Sequence, residues 1–232
     1  LLKAIFVILI LSLFNFNAMA FGGDISAKSA VVIEQTTGKV LFSKNQFDKM
    51  KPASTTKILT ALVALENCNS DEVVSVSQKA ANTEGSSMYI EAGEKIKMEN
   101  LLYGLMMNSG NDAAVAIAEH ISENTENFAK LMNNTAKKLG AEHSNFVTPN
   151  GLDDDNHYTT AHDLAVITSK AMENEKFRQL VCAKTKIVET VDGVKKYLTN
   201  HNKLLNMYEG CEGVKTGFTK ASGRTLVSAA QR

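Results

Sequence analysis

Three short polar motifs could together build a serine-based catalytic site, and the first pairs Ser54 with Lys57. The two residues are three positions apart at the start of a predicted helix, so their side chains share one face. A helix N-terminus offers free N–H groups that can hold an oxyanion, and a lysine whose pKa is lowered by burial can act as a base. Ser54 is therefore a candidate nucleophile and Lys57 its candidate base. Taken alone, the pair is equally typical of a helix-capping serine beside a surface lysine.

The second motif is Ser-x-Asn, which occurs three times in the sequence. Ser109 and Asn111 stand apart from the other two pairs because they interrupt two apolar helices that would otherwise be continuous. Polar groups at a junction that faces the core need hydrogen-bond partners. A loop held between buried helices is also a rigid support for a catalytic hydroxyl and amide.

The third motif is Lys215-Thr216-Gly217, near the end of the sequence. On an edge strand it would present a cation, a hydroxyl and a backbone without a side chain. Such a surface suits an extended peptide that ends in a carboxylate. By itself, the motif is also typical of a strand that ends before a turn.

The elements that must position these motifs follow from the hydrophobic periodicity. Strands are predicted at 30–34, 40–42, 72–76, 184–191, 195–198, 213–216 and 225–229. Helices are predicted at 54–66, 100–107, 112–121, 126–139 and 160–172. This order predicts a mixed α/β (α+β) fold: one antiparallel sheet of N- and C-terminal strands, flanked by helices and with an all-helical subregion.

Composition excludes several classes of protein. The 232 residues carry 25 basic and 25 acidic side chains, which argues against a nucleic-acid binder with a basic surface. A hydrophobic content of 44% argues against a disordered chain. Cys68, Cys182 and Cys211 are too few and too unevenly spaced for a disulfide scaffold.

The first 20 residues are predicted to be a secretory signal peptide. An apolar run at 4–14 follows Lys3, and Ala18-Met19-Ala20 has the small-x-small pattern of a cleavage site. An uncleaved membrane anchor is the alternative, although the run is short for a membrane span. We therefore expect an extracytoplasmic protein, secreted, periplasmic or on the outer face of the membrane, whose residues 21–232 form one catalytic domain.

Taken together and in this order, the three motifs are the set found in penicillin-binding proteins and class A β-lactamases. The chain resembles the low-molecular-mass D-alanyl-D-alanine carboxypeptidases, serine peptidase family S11, from about residue 29 to residue 230. Four long blocks carry the resemblance: 52–66, 107–120, 151–164 and 213–229. The fold that it implies is of the β-lactamase/transpeptidase type.

The resemblance implies a serine acyl-enzyme mechanism on peptidoglycan stem peptides that end in D-Ala-D-Ala. Ser54 would attack the carbonyl between the two D-alanines, and Lys57 would take its proton. Ser109 would relay a proton to the departing D-alanine. Asn111 would hydrogen-bond the substrate amide.

The same resemblance assigns the third motif to substrate binding. Lys215 would lie close to the Ser109 relay, and Thr216 would bind the terminal carboxylate. Lys215 and Gly217 are also assigned to substrate binding, and the backbone N–H groups of Ser54 and Phe218 would form an oxyanion hole. β-Lactam antibiotics would acylate the same serine. The resemblance implies no metal and no cofactor, no nucleic-acid partner, and a bacterial cell-wall role.

Three alternatives remain open at this stage. A β-lactamase is the nearest, although the sequence has neither a Glu-x-x-Leu-Asn segment nor a Tyr-x-Asn motif. A D,D-endopeptidase would use the same three motifs. A catalytically silent wall-binding module is the non-enzyme alternative, and it would not require Ser54 and Lys57 together.

Two departures from the family pattern stand out. The segment 148–151 reads Thr-Pro-Asn-Gly, where many relatives carry Asn-Pro-His-Gly. The sequence stops at Arg232, before a further strand and a later arginine that relatives possess. We therefore expect that the catalytic domain is truncated at its C-terminal end and that a region beyond it could mediate membrane association.

Overall fold

The computed structural model describes residues 25–231. The predicted signal peptide, residues 1–20, lies outside this range. Within it, none of the helices combines the length and the apolar character needed to cross a bilayer.

Short strands lie at both ends of the described chain, and helices occupy most of the middle. The strands are β1 (Ala30–Ile33), β2 (Val40–Lys44), β3 (Val73–Ser75), β4 (Lys95–Lys97), β5 (Thr185–Glu189), β6 (Lys195–Thr199), β7 (Cys211–Thr219) and β8 (Gly223–Ala230). The helices are α1 (Lys57–Asn67), α2 (Gln78–Ala81), α3 (Met98–Met107), α4 (Asn111–Ser122), α5 (Thr125–Lys138), α6 (Ala161–Glu173), α7 (Glu175–Cys182) and α8 (Leu204–Met207). A 3-10 turn, Ala53–Thr56, leads directly into α1.

The mixed architecture matches the predicted fold class, but the predicted joining of the terminal strands into one sheet does not appear in residues 25–231. The hairpins β1–β2 and β7–β8 form two separate antiparallel ladders. The two strands of a hairpin are neighbours in the sequence and pair across their own turn. Strands of two distant hairpins pair only if the helices between them bring their edges together. Here β1 packs against α6, while β7 packs against the 3-10 turn and α7.

Helix α1 is the centre of the hydrophobic core. Ile58, Leu59 and Leu62 are at most 2% exposed, and the helix packs against α3, α4, α5, α6 and α7. Burying each such side chain stabilises the fold by about 1.5–3 kcal/mol. Because its neighbours hold α1 on several sides, the 3-10 turn at its start has a fixed position.

Helix α7 is absent from the sequence-based prediction, which has no element between 172 and 184. The helix buries Phe177, Leu180 and Val181, which recur at helical spacing. Asn174 caps it by accepting hydrogen bonds from the backbone N–H groups at its start. Asn174 is a helix-capping residue and could have indicated that a helix begins there. The helix is too short for its hydrophobic periodicity to stand out in the sequence.

The central position of α1 generates a stability prediction. Leu59→Ala should lower the free energy of unfolding by about 2–5 kcal/mol, because it leaves a cavity in the core. Urea denaturation followed by circular dichroism measures the change. Leu41→Ala is the matched control, since Leu41 is 60% exposed, and it should change stability by no more than about 0.5 kcal/mol. Equal losses in the two variants would contradict the central role of α1.

Candidate active site

The 3-10 turn and the first residue of α1 bring Ser54 and Lys57 into direct contact. Lys57 Nζ lies 3.0 Å from Ser54 Oγ. Ser54 is half-buried, whereas Lys57 is completely buried. The structure therefore excludes the alternative in which Lys57 is a surface lysine.

Lys57 Nζ has two further partners, and both are oxygen atoms that can only accept hydrogen bonds. Nζ lies 2.7 Å from Asn111 Oδ1 and 2.6 Å from the carbonyl oxygen of Asn150. A neutral amine has two N–H donors and one lone pair. If the two donors bond these acceptors, the lone pair remains for the hydroxyl proton of Ser54. The geometry is therefore that of a lysine placed to deprotonate a serine.

The electrostatic surroundings favour the neutral amine. Burial, assisted by the positive charge of Lys215, holds the pKa of Lys57 well below its ordinary value of 10.5. The carboxylate of Asp112 acts in the opposite direction, but it is the weakest of the three influences. Lys57 can therefore act as a base at a lower pH than a solvated lysine could.

The loop between α3 and α4 carries Ser109 and presents Asn111 to the lysine. Ser109 is 5% exposed and has a φ of +59°, a conformation that non-glycine residues seldom adopt. The N–H of Gly110 donates to Gly104 O at 3.1 Å, and the N–H of Asn111 donates to Ser86 O at 2.7 Å. These bonds hold the strained loop, as the predicted rigid support requires.

Asp112 is a buried carboxylate that the sequence analysis did not single out. It accepts hydrogen bonds from Ser87 Oγ at 2.6 Å and from the backbone N–H groups of Met88 and Ile90 at 3.1 and 3.2 Å. These residues belong to the segment 84–90, in which the carbonyl oxygen of Glu84 accepts a hydrogen bond from Asn111 Nδ2. Asp112 thus fixes the segment that orients the Asn111 amide. An acidic residue on an apolar helix face could have indicated this role in the sequence.

Strand β7 brings the third motif beside the serine. A Cβ built on Gly217 would lie 2.9 Å from Ser54 N, so only glycine allows this approach of β7 to the start of the turn. Thr225 on the paired strand β8 donates to Pro52 O at 2.9 Å. The hairpin is therefore held against the turn that carries Ser54.

The remaining residues of the motif differ in exposure. Lys215 is 1% exposed, its Nζ donates to Thr216 O at 2.9 Å, and burial lowers its pKa to about 7. Thr216 is half-buried, while the Phe218 side chain is 64% exposed. Any contribution of Phe218 to an oxyanion hole would come from its backbone.

The loop 148–151, which departs from the family pattern, contributes to the site through its backbone. The carbonyl of Asn150 contacts Lys57, and the neighbouring Pro149 carbonyl accepts a bond from Thr60 Oγ1 at 2.6 Å. A Cβ on Gly151 would lie 2.0 Å from Ala53 O, so the loop packs against the turn without space for a side chain. The contact with Lys57 therefore uses the backbone at position 150, while the Asn150 side chain accepts a bond from Leu152 N at 3.0 Å.

His157 joins this loop to the 3-10 turn that carries Ser54, a role that sequence reasoning missed. Its Nδ1 accepts from the N–H groups of Val147 and Thr148 at 3.0 and 3.2 Å, so the ring proton belongs on Nε2. Nε2 then donates to Thr56 Oγ1 at 2.9 Å. Burial lowers the pKa of His157 to about 4, with the carboxylates of Asp154 and Asp153 opposing it. The ring is therefore neutral at pH 7.

The three cysteines are free, and Cys68 lies at the far end of α1 from the candidate nucleophile. Burial and the Glu72 carboxylate raise the pKa of the Cys68 thiol to about 11. A thiol that stays protonated at neutral pH is a poor nucleophile. Its position and chemistry leave Ser54 as the candidate nucleophile.

The neutral state of His157 generates a pH-dependent stability prediction. In the window between pH 6.5 and about 4, the unfolded chain binds the proton that the folded chain rejects, so stability falls as pH falls. The lowered pKa contributes about 3 kcal/mol to the free energy of unfolding, and this contribution is fully present above pH 6.5. His157→Asn, which keeps the acceptor but cannot be protonated, should remove this decline in urea denaturation at a series of pH values.

The control for that measurement is His143→Asn, since the side chain of His143 is 54% exposed. This variant should keep the decline of the parent protein. A parent whose stability does not change between pH 6.5 and 4 relative to His157→Asn would show that His157 is not held neutral by the fold.

The structure thus brings Ser54, Lys57 and Asn111 into direct contact. Gly217 lies against the serine backbone, and Lys215 is close enough to influence the Lys57 pKa. The individual catalytic and binding roles of these residues, and those of Ser109, Thr216 and Phe218, stay predictions.

Comparison with known protein families supports the motif-based resemblance. The family model of Peptidase S11, D-alanyl-D-alanine carboxypeptidase, matches residues 15–232. The chain is 37% identical over 211 residues to the D-alanyl-D-alanine carboxypeptidase DacF of Bacillus subtilis, covering 89% of this chain and 54% of that protein. It is 35% identical over 211 residues to DacB2 of Mycobacterium tuberculosis, covering 90% of this chain and 72% of that protein. The chain thus spans about half the length of the first of these relatives.

Solved structures give the same result. A serine-to-alanine mutant of a Streptomyces DD-transpeptidase aligns with a TM-score of 0.86 and 32% identity, covering 90% of this chain and 87% of that one. A D-alanyl-D-alanine carboxypeptidase from Mycobacterium tuberculosis aligns with a TM-score of 0.86 and 34% identity, covering 90% and 80%. These matches confirm the predicted fold class.

Proposed function

This chain belongs to the peptidase S11 family of D-alanyl-D-alanine carboxypeptidases, and on that premise we propose that it removes the terminal D-alanine from peptides ending in D-Ala-D-Ala. The observation that carries the proposal is the buried Lys57 amine, 3.0 Å from Ser54 Oγ and bonded to two acceptor oxygens. A silent binding module would have no use for a buried lysine with a lowered pKa.

In the proposed acylation step, Ser54 Oγ attacks the carbonyl carbon of the penultimate D-alanine. Lys57 Nζ takes the hydroxyl proton as the new C–O bond forms. The backbone N–H groups of Ser54 and Phe218 would hold the developing oxyanion. The approach of Gly217 to Ser54 N supports this, because it places the β7 backbone beside the reacting serine.

The leaving D-alanine needs a proton as its C–N bond breaks. In our proposal the proton passes from Lys57 through the Ser109 hydroxyl to the departing amine. A water molecule then hydrolyses the ester, with Lys57 as its base, and Ser54 regains its proton. Ser109 suits the relay because its loop is held in place two residues from Asn111, whose side chain contacts Lys57.

Substrate binding is assigned to β7 and to Asn111. The described part of the chain pairs β7 with β8 alone, so a peptide in extended form can lie along the other edge of β7. Lys215 and Thr216 would attract the terminal carboxylate, and Asn111 would bond the peptide amide. β-Lactams mimic this peptide end and should acylate the same serine. We place this activity outside the cytoplasm of a bacterium, at the cell wall.

Removal of the proposed nucleophile should abolish both D-alanine release and penicillin binding. Ser54→Ala should lower D-alanine release from a peptide ending in D-Ala-D-Ala by at least about a thousandfold and should abolish the covalent adduct with a fluorescent penicillin. Thr55→Ala is the neighbouring control, and it should still form the adduct. An adduct that persists in Ser54→Ala would place the nucleophile elsewhere.

One assay separates the competing activities. D-Alanine release, measured beside nitrocefin hydrolysis, should show peptidase turnover with at most slow lactam turnover. Rapid nitrocefin hydrolysis without D-alanine release would identify a β-lactamase, and cleavage of cross-linked peptides alone would identify an endopeptidase. Each of those results would overturn the proposal.

The coupling of the two buried lysines makes acylation depend on pH. Because the charge of Lys215 helps to lower the pKa of Lys57, Lys215→Gln should raise that pKa. The rate constant for acylation by a fluorescent penicillin should then reach half its plateau at a higher pH than in the parent protein. Lys170→Gln, which removes a half-exposed lysine on α6, should leave the midpoint unchanged. An unshifted midpoint in Lys215→Gln would show that the two lysines are not electrostatically coupled.

A further inference from the structure

A cluster of three side chains with metal-ligand chemistry lies apart from the catalytic turn. Cys68, Glu72 and His120 place a thiol sulfur, a carboxylate oxygen and an imidazole nitrogen within 4.8 Å of one another. The proposed reaction uses none of them. Cys68 caps the C-terminal end of α1, Glu72 immediately precedes β3, and His120 lies in the last turn of α4.

The distance between the histidine and the carboxylate is close to that of two ligands in a tetrahedral metal site. His120 Nε2 lies 3.2 Å from Glu72 Oε2, and Cys68 Sγ lies within 4.8 Å of both atoms. Zinc binds sulfur at about 2.3 Å and nitrogen or oxygen at about 2.0–2.2 Å, so its ligands in a tetrahedron are about 3.3–3.6 Å apart. The His120–Glu72 pair already has this spacing, and a side-chain rotation of Cys68 that closes at most about 1.5 Å would bring the sulfur to bonding distance.

The backbone and one neighbour already orient the carboxylate. Glu72 Oε1 accepts bonds from Asn69 N at 2.7 Å and Asn69 Nδ2 at 3.1 Å, which leaves Oε2 directed at the histidine. Met98 N donates to Glu72 O at 2.8 Å, and Cys68 N donates to Ala64 O at 3.0 Å. Partners of this kind, which hold a ligand from behind, are typical of protein metal sites.

We propose that Cys68, Glu72 and His120 bind a zinc ion, with water in the fourth position. The set of one thiolate, one imidazole and one carboxylate is within the range that zinc accepts, whereas calcium and magnesium prefer oxygen ligands alone. The side chains of His120 and Glu72 are 27% and 39% exposed, so an ion can reach them from solvent.

The ion would join the C-terminal ends of two helices whose N-terminal ends carry catalytic groups. Helix α1 begins at Lys57 and ends beside Cys68, and α4 begins at Asn111 and contains His120. Lys57 and Asn111 are bonded to each other at the other end of the pair. Zinc would thus clamp the helix pair opposite the active site and take no part in the reaction. At a free zinc concentration 100 times the Kd, the ratio of folded to unfolded protein should rise about 100-fold.

Titration of the purified protein with zinc, in competition with a chromophoric chelator, tests the proposal. We expect one equivalent to bind and Cys68→Ser and His120→Ala to weaken that binding by at least about 100-fold. Cobalt should give a thiolate-to-metal charge-transfer band that Cys68→Ser abolishes. Cys182→Ser removes an exposed thiol outside the cluster and should bind zinc as the parent does.

A measurement on the unaltered protein covers the case in which a variant does not fold. Zinc should slow iodoacetamide alkylation of Cys68 at least tenfold relative to chelator-treated protein, while Cys182 reacts at the same rate in both, as read by peptide mass spectrometry. Absence of stoichiometric zinc binding would overturn the proposal, leaving a hydrogen-bonded surface cluster. Unchanged affinity in folded Cys68→Ser and His120→Ala, or equal protection of both cysteines, would place the zinc elsewhere.

Discussion

The burial of one amine, that of Lys57, is the constraint on which the site depends. An ammonium ion removed from water is costly, so the fold must either pair the charge or favour the neutral form. This structure surrounds the amine with a serine hydroxyl and two neutral carbonyl oxygens and places a second buried cation, Lys215, nearby. The arrangement lowers the pKa of Lys57, and the same burial that would penalise a charged lysine makes a neutral one reactive.

The partners of that amine come from separate parts of the chain, so the site is an assembly of segments. The 3-10 turn supplies the serine, the start of α4 supplies Asn111, and the loop 148–151 supplies a backbone carbonyl. The packing of α1 in the core holds the turn, and Asp112 and His157 hold the segments around it. The geometry of the candidate site therefore depends on the stability of the fold. Each segment is held by residues that do not themselves belong to the site but contact those that do.

The family comparisons and the geometry of the site support different parts of the functional interpretation. The comparisons identify the family and the fold, while the contacts support the reaction that we propose for this chain. The contacts also explain one departure from the family pattern, since Asn150 contributes a carbonyl that any residue would provide. The cluster of Cys68, Glu72 and His120 gives one of the three free cysteines, Cys68, a context that the proposed reaction does not.

The sequence by itself determined the local elements and the identity of the candidate nucleophile, because helical spacing, turn residues and short motifs are properties of neighbouring residues. It predicted the two N-terminal strands, most of the helices of the middle region and the break at Ser109, and it placed Ser54 and Lys57 on one face. It could not show that Lys57 is buried, that the terminal hairpins form separate ladders, or that His157 bonds Thr56 in the 3-10 turn. Those facts depend on which distant segments pack together, and burial, pKa and hydrogen-bond partners exist only after that packing is complete.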